Sequence, residues 1–148
     1  MTRLVIALAI GSLLACSGKS KTTKPVTAGS GDPTLVKKVI VGWGFQSAGE
    51  MTDVFLATTD ETGKQVSHPL GRYKGKCEKI TPAKEMNAIT GAACTTTGGG
   101  TELHAIASNS EIIVMQMGTT PGTTPDPMSA QEVTRVTVPL GSAIEAAP

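Results

Sequence analysis

The chain has 148 residues, of which four are aromatic and 17% are charged, and its formal net charge at pH 7 is +1. This near-neutral charge argues against broad nucleic-acid binding, which depends on many cationic contacts to phosphates. The composition is rich in glycine, with 17 residues, and in the β-branched residues typical of sheets, so it predicts an all-β fold.

The N-terminal residues have the pattern of a secretion signal. Arg3 supplies one positive charge, and an apolar run over residues 4–14 follows it. That run is too short for a membrane-spanning helix, which needs about 20 apolar residues. It closes with Leu13-Leu14-Ala15-Cys16, which resembles the lipobox of bacterial lipoproteins. The resemblance covers residues 1–17 only, and it implies that residues 1–15 are removed and that Cys16 is lipidated.

An ordinary secretory cleavage site is the alternative interpretation of this segment. Such a site has small residues at its last and third-last positions, and Leu13 is too large for the second of these. The cysteine count favours the lipoprotein, because lipidation of Cys16 leaves an even pair in an exported chain. Within the resemblance, Ser17 implies transfer to the outer membrane of the cell envelope, on its periplasmic or its surface face.

The rest of the chain divides by composition into three parts. Residues 16–34 are polar and almost free of apolar side chains, so they are predicted to be a flexible tether. Residues 35–140 have the length of one domain, and residues 141–148 are predicted to be a C-terminal tail. Because two or three lipid chains hold a protein stably on a bilayer, the anchor implied at Cys16 needs no further membrane-binding helix.

Alternating apolar residues predict seven or eight short strands in this domain. The predicted strands cover residues 39–45, 54–59, 64–70, 72–80, 87–94, 101–108, 111–118 and 132–140. Short strands with turns between them indicate a small antiparallel β-sandwich or barrel. One short helix is predicted near residues 82–87, where Thr81 precedes Pro82 at the first helical position.

Residues 118–128 are predicted to form an exposed loop, because the repeated Gly-Thr-Thr-Pro sequence supplies prolines that cannot join a sheet ladder. We favour a variable surface insertion, and a docking or modified loop is the alternative. This Thr/Pro loop follows the most apolar of the predicted strands, which contains Ile112, Ile113, Val114 and Met115.

Cys77 and Cys94 are predicted to form a structural disulfide. In the oxidising compartment that the lipobox implies, closing a loop of this length contributes about 3 kcal/mol. A metal or redox pair is the alternative interpretation, but the chain has no C-x-x-C spacing.

Four cations form the candidate binding patch, namely Arg72, Lys74, Lys76 and Lys79. The first three alternate at period two, so in one strand they would share a face. Such a face would attract an acidic protein surface, a lipid headgroup or another polyanion. The alternative is a solvated strand face whose lysines discourage edge-to-edge aggregation.

His68 and His104 are the two histidines of the chain. The carboxylates that could join them in a metal site or an acid–base pair are Asp53, Glu102 and Glu111. However, His104 alternates with Leu103 and Ala105, which predicts that it points to solvent. No metal-binding motif and no G-x-S-x-G nucleophile motif occurs in the sequence. We therefore predict no catalytic residue, no metal and no cofactor.

Together, these observations predict an envelope lipoprotein that meets the membrane through its lipid and whose non-catalytic β-domain binds a protein or an anionic envelope component. No nucleic-acid partner is expected. Two alternatives stay open: a lysozyme- or protease-inhibitor-like lipoprotein, and an envelope metal carrier or enzyme that uses His68 or His104.

Overall fold

The computed structural model describes residues 37–148, which fold into a sandwich of two β-sheets. The strands are β1 (Lys38–Ala48), β2 (Met51–Asp60), β3 (Gln65–Lys74), β4 (Lys76–Ile80), β5 (Thr90–Thr96), β6 (Gly99–Ala107), β7 (Glu111–Thr119), β8 (Gln131–Thr137) and β9 (Ala143–Ala146). The four-stranded sheet has the order β3-β2-β1-β9, and the five-stranded sheet has the order β4-β5-β6-β7-β8. The prediction of a small all-β sandwich or barrel is confirmed, and the structure is the sandwich; the described residues form nine strands where seven or eight were predicted.

The predicted signal peptide, the lipobox with Cys16 and the predicted tether lie outside the described residues. Over residues 37–148, the structure contains no helix with the length and apolar character needed to cross a membrane.

Alternation along the strands gives each sheet one apolar face that is turned toward the other sheet. Val41, Val54 and Leu56 of the four-stranded sheet are fully buried, and so are Leu103 and Val114 of the five-stranded sheet. Each such side chain contributes about 1.5–3 kcal/mol by leaving water. The core between the sheets is therefore built from aliphatic side chains, as the sequence pattern predicts.

Among the described residues, two hydrogen bonds between partly buried side chains cross this core. The Nε1 group of Trp43 on β1 donates a hydrogen bond of 3.0 Å to the hydroxyl of Thr90 on β5. The hydroxyl of Tyr73 on β3 donates one of 3.2 Å to the Oε1 atom of Gln116 on β7. Partial burial raises the pKa of Tyr73, because leaving water disfavours the phenolate, and the hydroxyl therefore remains a donor over a wider pH range.

Gly75 carries the chain from one sheet to the other. It lies between β3 and β4 with a φ of +95°, and a Cβ atom at this position would stand 2.0 Å from the carbonyl oxygen of Thr95. The prediction of a single strand over residues 72–80 is therefore wrong. Apolar alternation continues on both sides of the bend, and only glycine has both the left-handed conformation and the space that the bend requires.

The last strand, β9, comes from the segment that the sequence assigns to a C-terminal tail. It pairs in parallel with β1, from Lys38 opposite Ala143 to Val41 opposite Ala146. An ion pair of 2.7 Å between Lys38 and Glu145 joins the same two strands. This pairing covers the edge of β1 that would otherwise present unpaired backbone groups to solvent.

The helix predicted near residues 82–87 is a single 3-10 turn over Lys84–Met86. Thr81 does not cap it, because the N-cap position belongs to Ala83, which makes no side-chain hydrogen bond. Met86 of this turn is nevertheless buried. A second 3-10 turn, Pro127–Ser129, ends the Thr/Pro loop, and the carboxylate of Asp126 accepts a hydrogen bond of 2.9 Å from the backbone nitrogen of Met128.

Candidate functional site

The predicted disulfide between Cys77 and Cys94 is confirmed. The two cysteines lie directly opposite each other on the paired strands β4 and β5, and both are buried. The bond thus lies within the five-stranded sheet and fastens its five-residue edge strand, β4, to β5. Its role in the structure is to hold that edge.

The predicted basic patch is divided by the bend at Gly75. Arg72 lies on β3 and contacts Asp53 on the adjacent strand β2, through hydrogen bonds of 2.7 and 2.9 Å to the two carboxylate oxygens. The guanidinium of Arg72 lowers the pKa of Asp53. Lys79 donates a hydrogen bond to the carbonyl oxygen of Ala147. Two of the four candidate cations therefore already have partners within the domain.

Lys74 and Lys76, on either side of the bend, flank an open groove of about 450 Å³, which we call the basic groove. Its other lining residues include Ser47, Glu50, Thr52, Gly75, Thr96 and Thr97. The Thr52 hydroxyl donates a hydrogen bond of 2.7 Å to the Gly75 carbonyl oxygen, which holds the bend in place. The basic groove thus combines two exposed ammonium groups with several hydroxyls and one carboxylate.

His68 lies on β3 in the four-stranded sheet. Its Nε2 atom is 3.0 Å from the hydroxyl of Thr58 on β2, and the side chain is half-buried. The contact accounts for one ring nitrogen. His68 therefore acts here as a cross-strand partner of Thr58.

His104 is buried, with only 1% of its surface exposed, so the prediction that it points to solvent is wrong. Its Nε2 atom lies 3.0 Å from the Oε2 atom of Glu102, two residues away on the same face of β6. Gly91 is directly opposite His104 on β5, and a Cβ atom there would lie 3.4 Å from His104 Nδ1. The missing side chain of Gly91 therefore leaves room for the imidazole ring.

The structure does not bring the two histidines together. His68 belongs to the four-stranded sheet, and His104 belongs to β6 of the five-stranded sheet, where its neighbour Leu103 faces the core. Across residues 37–148, no three His, Cys, Asp or Glu side chains gather into a group that could hold a metal ion. Of the residues proposed for an acid–base pair, only His104 and Glu102 meet.

Beside Glu102, the outer face of the five-stranded sheet contains a partly enclosed cavity of about 310 Å³. We call it the proline-roofed pocket, and its lining residues are Ile80, Thr81, Ala83, Glu85, Met86, Glu102, Met117, Thr124, Pro125 and Pro127. Met117 lies directly opposite Glu102 across β6 and β7, Met86 comes from the 3-10 turn, and the prolines come from the Thr/Pro loop. Most of its lining surface is apolar.

The two ring nitrogens of His104 differ in their surroundings. Nε2 contacts Glu102, whereas Nδ1 is buried and has no hydrogen-bond partner among the described residues.

Apolar alternation along the strands does not reveal this pocket, although the sequence contains two other signals for it. The continuous apolar run Ile112–Met115 is typical of a strand that is buried on both faces rather than one. Gly91, in the middle of a strand, marks the close approach of a neighbouring group.

No protein-family model matches this chain, and searches among curated proteins and among solved structures find no significant similarity to it.

Proposed function

We propose that this protein is a lipoprotein of the bacterial cell envelope, anchored to the outer membrane through Cys16, whose β-sandwich binds a protein partner. The lipobox resemblance supports the anchor. The proline-roofed pocket carries the binding part of the proposal, because apolar concave sites with a few polar groups are the usual places where proteins hold ligands and partner side chains.

The environment of His104 supports binding rather than catalysis. A general acid or base must come within hydrogen-bond distance of a substrate proton. The imidazole is 1% exposed, and its Nε2 atom already contacts Glu102. Glu102 reaches the pocket surface, where its carboxylate serves as a fixed charge.

The basic groove supports a second candidate function, the binding of an anionic envelope component. Lys74 and Lys76 are both exposed beside it, and salt bridges among the described residues involve neither of them. Two free ammonium groups next to a row of hydroxyls are suited to a phosphate or carboxylate group. Glu50 in the same groove weakens the positive field and favours the pocket as the principal site.

Photo-cross-linking in intact envelopes tests the principal site. A photoreactive residue in place of Thr124, which lines the pocket, should capture one reproducible protein partner. The same residue in place of Thr62, on the exposed turn between β2 and β3, is the matched control and should capture none. Absence of any adduct specific to Thr124 would overturn the proposal.

The anchor has a separate test. The native protein should partition into the detergent phase and carry acyl chains on its N-terminal peptide, as measured by mass spectrometry. Cys16→Ala should move the protein into the aqueous phase, because it removes the thiol to which the lipid is attached. An unmodified thiol at Cys16 in the native protein would contradict the anchor.

A further inference from the structure

We propose that the proline-roofed pocket receives one long basic side chain, a lysine or an arginine, from the protein partner. This inference rests on the proposed function and names the chemical group that enters the site. Its support comes from the walls of the pocket, from its charges and from its size.

The walls suit the stem of a lysine or arginine side chain. Ile80, Met86 and Met117 provide aliphatic and thioether surface, and Pro125 provides a ring from the roof. Lysine and arginine side chains cover apolar surface with their methylene groups while the charged end meets polar groups. Methionine walls adapt to the shape of such a chain because they are unbranched and polarizable.

The charges of the pocket are complementary to a cation. Glu85 and Glu102 line it, and the described residues that line it include no lysine or arginine. Within residues 37–148, Glu85 takes part in no salt bridge. The carboxylate of Glu102 lies 3.0 Å from the imidazole of His104, and none of the described lysines or arginines forms a salt bridge with it. An entering ammonium or guanidinium group would supply the positive charge that these lining residues lack.

The position of Glu102 is fixed before any partner arrives. Its side chain is 25% exposed, and the hydrogen bond with the buried His104 ring limits its rotation. A carboxylate held in place loses less conformational entropy on binding than a free one. His104 is thus a positioning residue for the charge at the floor of the pocket.

The size of the pocket favours a single side chain. Its volume of about 310 Å³ lies at the lower limit of the range typical of small-molecule sites. Arginine is among the residues that most often dominate protein interfaces by filling such pockets.

Methionine methyl groups provide the reporter for a direct test. The full chain, with its methionine methyl carbons labelled with ¹³C, is titrated with N-acetyl-lysine amide and followed by NMR. The signals of Met86 and Met117, which line the pocket, should shift in a saturable way. Met51 on β2 and the 91%-exposed Met128 are internal controls and should not shift. N-acetyl-arginine amide should behave in the same way.

Charge is tested with a neutral probe and with conservative variants. N-acetyl-norleucine amide has the same stem without the ammonium group and should bind more weakly than the lysine amide. Glu85→Gln should weaken lysine-amide binding by a factor of about 1.4 to 5, which is the range expected for an exposed ion pair. The double variant Glu85→Gln/Glu102→Gln should bind both probes equally. Glu78→Gln, on the same sheet face but outside the pocket lining, should change nothing.

Equal affinity of the native protein for the lysine and norleucine amides would overturn the inference, and so would the absence of shifts at Met86 and Met117. The result is separable from the test of function. An adduct at Thr124 without a preference for cations would overturn this inference alone. A preference for cations without an adduct would overturn the proposed protein partner, and with it the source of the basic side chain, but it would leave the cation preference of the pocket in place.

Discussion

The imidazole of His104 and the carboxylate of Glu102 meet at 3.0 Å on the outer face of the five-stranded sheet. One member of this pair is almost completely buried, and the other reaches the surface of the proline-roofed pocket. Replacing His104 should therefore affect both the stability of the sheet and the position of a carboxylate in the candidate site.

His104→Ala should lower the free energy of unfolding by about 2–4 kcal/mol, because it leaves a cavity and removes the hydrogen-bond partner of Glu102. Urea denaturation measures the effect. His68→Ala is the matched control and should cost less than about 1 kcal/mol, since His68 is half-buried and loses one contact with Thr58. Similar losses of unfolding free energy in the two variants would contradict the conclusion that His104 is more deeply buried than His68.

Thr90→Val should destabilise the protein by about 1 kcal/mol, because it keeps the shape of a buried side chain but removes the acceptor of the Trp43 indole N–H group. Denaturation followed by circular dichroism measures the loss in every variant, including those in which the one tryptophan of the chain is replaced. In the double variant Trp43→Phe/Thr90→Val, the combined loss should be smaller than the sum of the single losses. Strict additivity would mean that the hydrogen bond contributes nothing.

Removal of the disulfide in the variant Cys77→Ala/Cys94→Ala should cost about 3 kcal/mol, because the unfolded chain regains the conformational freedom of the closed loop. Thermal unfolding with and without a reducing agent provides the measurement. The reductant should lower the Tm of the native protein, and it should leave that of the double variant unchanged. A response of the double variant would show that the reductant acts elsewhere.

Gly75→Ala should prevent folding or destabilise the protein far more than Gly63→Ala. Both glycines have positive φ values, +95° and +81°. Each substitution therefore places a residue with a Cβ atom in a left-handed conformation, which destabilises the folded state by about 1–2 kcal/mol. Only at Gly75 would the new Cβ atom collide with backbone, at 2.0 Å from the Thr95 oxygen. Circular dichroism and urea denaturation compare the two variants, and equal stability would show that the chain can bend elsewhere.

The contact between Arg72 and Asp53 should appear as a pH effect. Because the pKa of Asp53 is lowered in the folded protein, its contribution to stability is complete above the unfolded pKa of about 3.9 and is lost as the pH falls through the folded value. Arg72→Gln should raise the Asp53 pKa toward its ordinary value, as measured by carboxyl ¹³C NMR. Arg135→Gln should leave it unchanged, since Arg135 contacts Glu111 and Glu132 instead.

The sequence predicts the sandwich because the sheet faces that meet at the core alternate regularly. Val39 and Val41 on β1 are buried, and so are Ile112 and Val114 on β7, in the pattern expected of strands with one covered face. The cysteine pair is predicted from the same kind of local information, an even count in an exported chain. The strands depend on residue spacing within single segments, and the disulfide depends on the number of cysteines. Both can be read directly from the sequence.

The candidate pocket could not be predicted in this way, because what covers the outer face of the sheet comes from distant parts of the chain. His104 occupies a position that alternation assigns to solvent, yet Met86 from a 3-10 turn and Pro125 from a loop help to cover that face. Likewise, the period of two continues through Gly75 although the chain changes sheets there. Such features depend on tertiary packing, which a pattern along one strand does not contain.

The length of β1, which runs from Lys38 to Ala48, has a practical consequence for experiments. The chain passes into the sandwich at Lys38, whereas the basic groove lies beside Ser47 and Gly49, about ten residues or roughly 33 Å farther along β1. Coupling the protein to a sensor surface through its N-terminal segment should therefore leave the groove open to dissolved ligands. Coupling through a residue of the turn at Gly49 would obstruct it.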